Sequence, residues 1–246
     1  MSLKFSIITP SLNQGRFIRD TIESVLDQGY ANFEHIIIDG GSTDETINIL
    51  KEYRHLKWIC EKDCGPANAI NKGFGMATGD IHSWLNSDDY YAKNIFPEIN
   101  YTFNENRLCE YLYGNLTFVS ETKHVLTNDK THPPSIELFI HETADLLRQP
   151  CTFFKKNLLE KVGFLDESLN LVFDYDLFIK MLMITKPIYI DKNIAFQRMY
   201  DTTLTKRNLS KQAIEIYKTS RKYGAKIYDR ILYRSILKKF LFPNSF

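Results

Sequence analysis

This chain lacks most of the features that mark secreted, membrane-spanning or nucleic-acid-binding proteins. It has only 4 cysteines in 246 residues. Cys60, Cys64, Cys109 and Cys151 are scattered without the spacing of a disulfide framework, and no His or further Cys follows Cys64 at zinc-site spacing, so reduced thiols are expected. No apolar run approaches the roughly 20 residues that cross a bilayer. The net charge of +1 argues against nucleic-acid binding driven by overall charge. Gly-x-Gly-x-x-Gly is missing after the first strand-like run, as is a loop ending in Gly-Lys-Ser/Thr, which argues against a dinucleotide site and a phosphate loop. Internal repeats and low-complexity tracts are absent. Met1-Ser2-Leu3-Lys4 leads straight into a strand-like run, so the expectation is no signal peptide and a cytoplasmic location.

What is present suffices for a full core, at 43% hydrophobic and 13% aromatic residues. The length fits one large domain, or one domain with an appendage. Near-neutrality hides an asymmetry, because from Lys211 onward nine Lys/Arg face two acids.

Strand and helix patterns alternate through the first ninety residues. Phe5–Ile8 reads as a strand closed by Thr9-Pro10-Ser11. Phe17, Ile18, Ile22, Val25 and Leu26 then recur on one helical face. A second strand, Phe33–Ile38, stops at Asp39-Gly40-Gly41, and Ser42 with Glu45 forms a capping-box pattern for a helix through about Glu52. Lys57–Cys60 is a third strand, followed after Pro66 by a helix to about Ala77. Ile81–Trp84 is a fourth strand. This order predicts an α/β fold with a mostly parallel central sheet and helices on both faces. Farther on, Asn94–Asn104 reads as helix, Tyr111–Val119 as a long strand with Val125–Thr127 pairing back, Gln149–Phe154 as a strand, Asn157–Val162 as a short helix, and Phe173 to about Ile184 as a helix.

Ligands bind beyond the carboxyl ends of strands in such sheets. Four strands here end in Thr9-Pro10-Ser11, Asp39-Gly40-Gly41-Ser42, Asp63 and Asn86-Ser87-Asp88-Asp89, so these loops should share one edge. The adjacent acids Asp88 and Asp89 repel each other. They suit a divalent cation shared with a phosphate-bearing ligand, or else a solvated turn capping the next helix. His82, Trp84, Phe153 and Phe154 read as core.

Five landmarks occur in a recognisable order: Ser6–Asn13, Ile38–Asp44, Asn68–Gly73, Leu85–Asp89 and Asp174–Leu177, supported by Gln149-Pro150 and Gly163–Glu167. Over about residues 4 to 200 the chain resembles the family 2 glycosyltransferases of the GT-A fold, and is most similar to the bacterial group that builds O-antigen and other surface polysaccharides. The resemblance implies a metal-dependent, inverting transfer of sugar from a nucleotide-sugar donor, UDP-linked in most of the family, to a glycan or lipid-linked glycan acceptor. It implies Thr9, Pro10 and Ser11 around the base and ribose, Asp39 accepting from the uracil N–H, Asp63 and Lys72 on the nucleotide side, and Asn86 facing the ribose. Asp88 would coordinate Mn²⁺ or Mg²⁺, and Asp174 would be the catalytic base. Asp89, Gln149 and Asp176 are candidate contacts to donor or acceptor sugar, with Asp176 also the alternative base. It divides the chain into a GT-A domain at 1–205, with a nucleotide half at about 1–90 and an acceptor half at about 91–205, and a basic amphipathic tail at 206–246.

The chemistry is consistent with that assignment. A cation can neutralise the charge developing on a nucleoside diphosphate leaving group, and a carboxylate can remove the proton of an attacking sugar hydroxyl. Three positions depart from the family pattern: Asn86 replaces a common Asp, Ile70 a common Arg, and Met199-Tyr200 follow Arg198 where some relatives carry a His. Bland readings stand beside the functional ones, with Asp39 as a turn residue and Asp174 as a helix N-cap. A catalytically silent GT-A module is the rival function; a sugar-nucleotide pyrophosphorylase is a weaker one, because Asn13-Gln14-Gly15-Arg16 does not supply its Gly-rich triphosphate loop. In the tail, Ile227, Ile231, Leu232, Ile236, Leu237, Phe240 and Leu241 alternate with Arg230, Arg234, Lys238 and Lys239. That pattern suits a helix lying on the inner face of an anionic membrane, or one packed on the catalytic domain.

Overall fold

A computed structural model describes residues 1–130, 135–142, 144, 147–201 and 208–232. Four parallel strands start the chain: β1 (Phe5–Ser11), β2 (Phe33–Asp39), β3 (Lys57–Cys60) and β4 (Ile81–Trp84). The apolar side chains of β1 from Phe5 to Ile8, of β2 from Ile36 to Ile38 and of β4 are buried on both faces, as central parallel strands require, whereas those of the edge strand β3 are only partly covered. The register sets Ser11 beside Asp39 and Asp39 beside Cys60, so the strand-end loops do share one edge.

Beyond β4 the sheet is mixed. β8 (Thr152–Lys155) runs antiparallel to β4 and to β6 (Tyr111–Val119), β9 (Ile188–Arg198) lies parallel to β6, and β5 (Tyr90–Tyr91) runs antiparallel to β9. β7 (Val125–Asp129) folds back on β6, as expected. The mostly parallel expectation therefore holds for β1–β4, β6 and β9, while β5, β7 and β8 oppose them. Gln149–Cys151 forms a 3₁₀ turn rather than the start of β8, because Pro150 cannot donate to a ladder.

Helices cover both faces: α1 (Ile18–Leu26), α2 (Thr46–Glu52), α3 (Pro66–Met76), α4 (Ile95–Glu105), α5 (Ile136–His141), α6 (Lys156–Val162) and α7 (Phe173–Leu182). Two local expectations fail. Leu26 is exposed at the end of α1, and the Ser42/Glu45 capping box does not form. Instead Asp44 Oδ1 accepts the Thr46 amide at 3.0 Å and its Oδ2 accepts the Gly15 amide at 2.9 Å, tying α2 to the loop after β1.

The core has a cluster on each face of the sheet. Ile8, Ile36, Ile38, Ile70, Phe74, Trp84, Phe154 and Phe178 fill one; Phe5, Ile7, Ile81, Leu85, Phe96 and Phe153 fill the other. Phe153 and Phe154 thus separate by strand alternation. Ile70 is fully buried on α3, which accounts for an apolar residue at that position. His82 is core as expected, with Nε2 against the Gly79 carbonyl at 3.1 Å.

Two further helices follow, α8 (Leu209–Lys222) and α9 (Arg230–Leu232). Ala213 and Ile216 of α8 and Ile231 of α9 are buried, and His141 Nδ1 meets Asp229 Oδ2 at 2.6 Å, so the described part of the tail packs on the body. The apolar and basic positions from Arg234 to Leu241 lie outside the described residues. Among the described residues, no helix is long and apolar enough to cross a membrane.

Candidate functional site

The edge formed by the strand ends is built from hydrogen-bonded loops. Asp39, fully buried, is the hub of the first. Its Oδ1 accepts from the amides of Gly41 (3.1 Å) and Ser42 (2.7 Å) and from the Cys60 thiol (3.3 Å), and its Oδ2 accepts from the Ser42 hydroxyl (2.6 Å). Gly41 holds a φ of +92° that side chains disfavour. A Cβ on Gly40 would stand 2.7 Å from Asp63 Oδ2, so the missing side chain lets Asp63 approach this loop. Asp63 Oδ1 in turn accepts the Gly65 amide at 2.9 Å. Asn13 links the two loops, donating its amide to Ser42 Oγ at 2.7 Å and accepting that of Thr43 at 2.8 Å.

The other nucleotide-side candidates differ in what they present. Thr9 is buried, its hydroxyl spent on His35 Nε2 at 2.9 Å, so its side chain belongs to the core. Burial pushes the His35 imidazole down to about 3, keeping it neutral. Pro10 is half-buried, and Ser11 Oγ is buried with no hydrogen-bond partner among the described residues, an unsatisfied group on the edge itself. Lys72 pairs with Glu61 at 2.6 Å.

The acid run follows β4 directly. Leu85 donates its amide to the Ile8 carbonyl at 2.9 Å, and the Asp89 amide closes a turn on the Asn86 carbonyl at 3.0 Å. The half-buried Asp88 receives the Tyr200 hydroxyl on Oδ2 at 2.6 Å, while its Oδ1 accepts no hydrogen bond from another described residue. Burial raises the Asp88 carboxyl above its ordinary range. Asp89 is 1% exposed, receives the Arg198 amide on Oδ1 at 3.0 Å, and is raised well above the usual range by burial and by the Asp88 charge. It is a buried scaffold of the turn rather than a sugar contact.

Arg198 is the countercharge. Its guanidinium is fully buried, bonds the Asp20 carboxylate and the Asp88 carbonyl, and lies 4.8 Å from the Phe17 ring and 5.0 Å from the Tyr90 ring. Sequence reasoning noted Arg198 and Tyr200 only as positions near a missing His. The signal for their role is that Arg198 ends the strand pairing with β5, two residues after Asp88.

The candidate base Asp174 lies in the first turn of α7, where a carboxylate suits the helix dipole. It is not the N-cap, which falls at Val172; its Oδ1 accepts the Tyr175 amide at 2.8 Å. The buried Tyr111 hydroxyl has no hydrogen-bond partner among the described residues, and its ionisation is disfavoured by burial, by Tyr113 and by the charge of Asp174. Two other candidates are corrected. Asp176 is fully buried and held by Lys180 (2.9 Å), Lys222 (2.9 Å) and the Tyr223 hydroxyl (2.8 Å), which fastens α8 to α7 and leaves no face for a sugar or a base role. Gln149 is also buried, its amide donating to the Trp84 carbonyl, so it braces the end of β4.

Among the described residues, no group of three or more His, Cys, Asp or Glu could enclose a metal. Asp88, whose Oδ1 accepts no hydrogen bond from another described residue, instead fits a hard cation held by one protein ligand, substrate phosphates and water.

Residues 6–163 match the family model described as Glycosyl transferase family 2. The chain belongs to this family. An uncharacterized glycosyltransferase of Rickettsia typhi is 28% identical over 213 residues, covering 83% of this chain and 67% of its own. The putative teichuronic acid biosynthesis glycosyltransferase TuaG of Bacillus subtilis is 35% identical over 122 residues, 47% of this chain and 48% of its own. The chain spans between 31% and 67% of the length of four curated relatives that it matches. S. aureus TarS 1–349 in complex with UDP-GlcNAc superposes with a TM-score of 0.72 at 18% identity, covering 98% of this chain and 73% of that one. The mannosyltransferase PcManGT from Pyrobaculum calidifontis, in complex with GDP-Man and Mn²⁺, gives 0.69 at 16% identity, covering 95% and 69%. The family 2 chain therefore has the GT-A glycosyltransferase fold.

Proposed function

We propose that this chain moves a sugar from a UDP-sugar to a hydroxyl of a glycan or lipid-linked glycan in surface polysaccharide assembly, inverting the anomeric carbon and using Mn²⁺ or Mg²⁺. The observation that carries this reading is Asp88, whose Oδ1 accepts no hydrogen bond from another described residue, beside loops whose buried Ser11 hydroxyl has no hydrogen-bond partner among the described residues. The complexes of TarS with UDP-GlcNAc and of PcManGT with GDP-Man and Mn²⁺ support the donor class and the cation. The description of TuaG supports the polysaccharide setting.

In this reading residues 1–90 form the nucleotide half and 91–205 the acceptor half, with 206–246 as the tail. Ser11, Pro10, Asp63, Lys72 and Asn86 border the nucleotide. Asp39 acts by shaping the Gly40-Gly41-Ser42 loop, since four donors already occupy its carboxylate. When bound at Asp88, the cation supplies Lewis-acid neutralisation of the leaving diphosphate. Asp174 takes the proton from the acceptor hydroxyl as its oxygen attacks the anomeric carbon from the face opposite the diphosphate, which inverts that centre. A lipid-linked acceptor places the work at the inner face of the membrane.

Isothermal titration with UDP, GDP and dTDP, each with and without Mn²⁺, tests the donor assignment. Tight binding of UDP that depends on Mn²⁺ is expected. Preference for another nucleotide would overturn the UDP assignment, and no binding of any would leave a silent module.

A further inference from the structure

We propose that Tyr200 is the positioning residue of the cation site, holding Asp88 so that Oδ1 alone is offered to a divalent ion. The inference rests on the reading of Asp88 as the protein ligand. The Tyr200 hydroxyl donates to Asp88 Oδ2 at 2.6 Å across 112 residues of sequence. Its ring packs 5.2 Å from Phe17, and the Gln14 side chain hydrogen-bonds the same hydroxyl. Two residues earlier, the Arg198 amide holds Asp89 Oδ1 at 3.0 Å. Residues 198–200 thus grip both acids of the run, one carboxylate oxygen each, from a strand end that the buried Arg198 guanidinium anchors.

An unrestrained Asp carboxylate can rotate and meet a cation through either oxygen or both. A hydroxyl fixed on Oδ2 removes that freedom, so the cation meets a ligand already oriented. It also favours one-oxygen coordination, which leaves sites on the ion for phosphates and water. The contact is therefore expected to act on cation affinity and to leave direct nucleotide contacts alone.

The test is Mn²⁺ titration of the full chain at saturating UDP, read by the electron paramagnetic resonance signal of free Mn²⁺, for wild type, Tyr200→Phe and Asp88→Asn. UDP affinity without metal is measured in parallel. Tyr200→Phe keeps the ring against Phe17 and removes only the hydroxyl. It is expected to weaken Mn²⁺ binding roughly 10- to 100-fold, the usual effect of losing a group that orients a metal ligand, with metal-free UDP affinity unchanged. A general structural defect would weaken both together and would count against the proposal. Gln14→Leu, which keeps the hydroxyl on Asp88 but removes its second partner, is expected to give a smaller loss and serves if Tyr200→Phe does not fold. Equal Mn²⁺ affinity in wild type and Tyr200→Phe would overturn the positioning role while leaving Asp88 as ligand. Equal affinity in wild type and Asp88→Asn, or no Mn²⁺ binding by wild type, would overturn the reading of Asp88 and this inference with it.

Discussion

The amide of Arg198 donates to Oδ1 of Asp89 at 3.0 Å, joining the end of β9 to the turn after β4 across 109 residues. Two neighbouring carboxylates sit in a largely buried turn here, and the same Arg198 places its guanidinium against the Asp88 carbonyl and the Asp20 carboxylate. Burial alone would drive both acids toward the neutral form; the Tyr200 hydroxyl and, less strongly, the Arg198 charge oppose this for Asp88, and the amide and charge of Arg198 lead the opposition for Asp89.

Arg198→Met should therefore be strongly destabilising, by about 3–5 kcal/mol, because it leaves buried acids without their countercharge. Urea unfolding monitored by circular dichroism measures the loss. Arg198→Lys should recover only part of it, since an ammonium cannot reproduce the planar fork between Phe17 and Tyr90.

Asp174→Asn should lower transfer by about 10² to 10⁴ while leaving UDP affinity unchanged. Single-turnover product formation and nucleotide titration separate the two effects. Near-normal turnover would remove Asp174 from the base role.

Asp176→Asn should act as a packing mutation. It weakens the grip of Lys180, Lys222 and Tyr223, so hydrogen exchange should accelerate in Leu209–Lys222 and thermal stability should fall. Donor KM should stay the same. A change in KM with unaltered exchange would restore a sugar contact at this residue.

Stability should fall on mild acidification. Burial lowers the imidazoles of His35 to about 3 and His82 to about 4. Each is neutral in the fold and titrates near 6.5 when unfolded. Between those limits the unfolded chain binds more protons, so stability is complete above about pH 6.5 and is lost as pH falls toward 4 and 3. His35→Gln should remove one proton from this linkage, flattening the slope below pH 6 by about 1.4 kcal/mol per pH unit. Denaturant melts at pH 7, 6 and 5 measure it.

The parallel half was legible because its strands are apolar on both faces and end in Gly, Pro and Asp, signals that are local in sequence. β9 was not, because Asp191, Lys192 and Asn193 interrupt its alternation and only pairing with β6 makes it a strand. That omission hid Arg198 and Tyr200, whose roles depend on where β9 ends. Residue type also over-promised at Asp176, Gln149 and Thr9, where polar side chains satisfy buried partners. Ser42 and Glu45 matched a capping pattern that Asp39 and Asp44 override, since Ser42 already holds Asp39. Asp88 and Asp174 stand out as candidates in the sequence, but the Tyr200 partner of Asp88 does not, because that contact spans 112 residues of chain.

The most direct measurement is mass spectrometry of glycan and lipid-linked glycan acceptors incubated with the full chain, Mn²⁺ and a panel of nucleotide sugars, with nucleoside diphosphate release followed in the same samples. The account predicts that one UDP-sugar is consumed, that an acceptor gains the mass of one sugar, and that Asp88→Asn and Asp174→Asn each slow the gain sharply. Nucleotide bound by the wild type but never consumed, with no acceptor gaining mass, would contradict it.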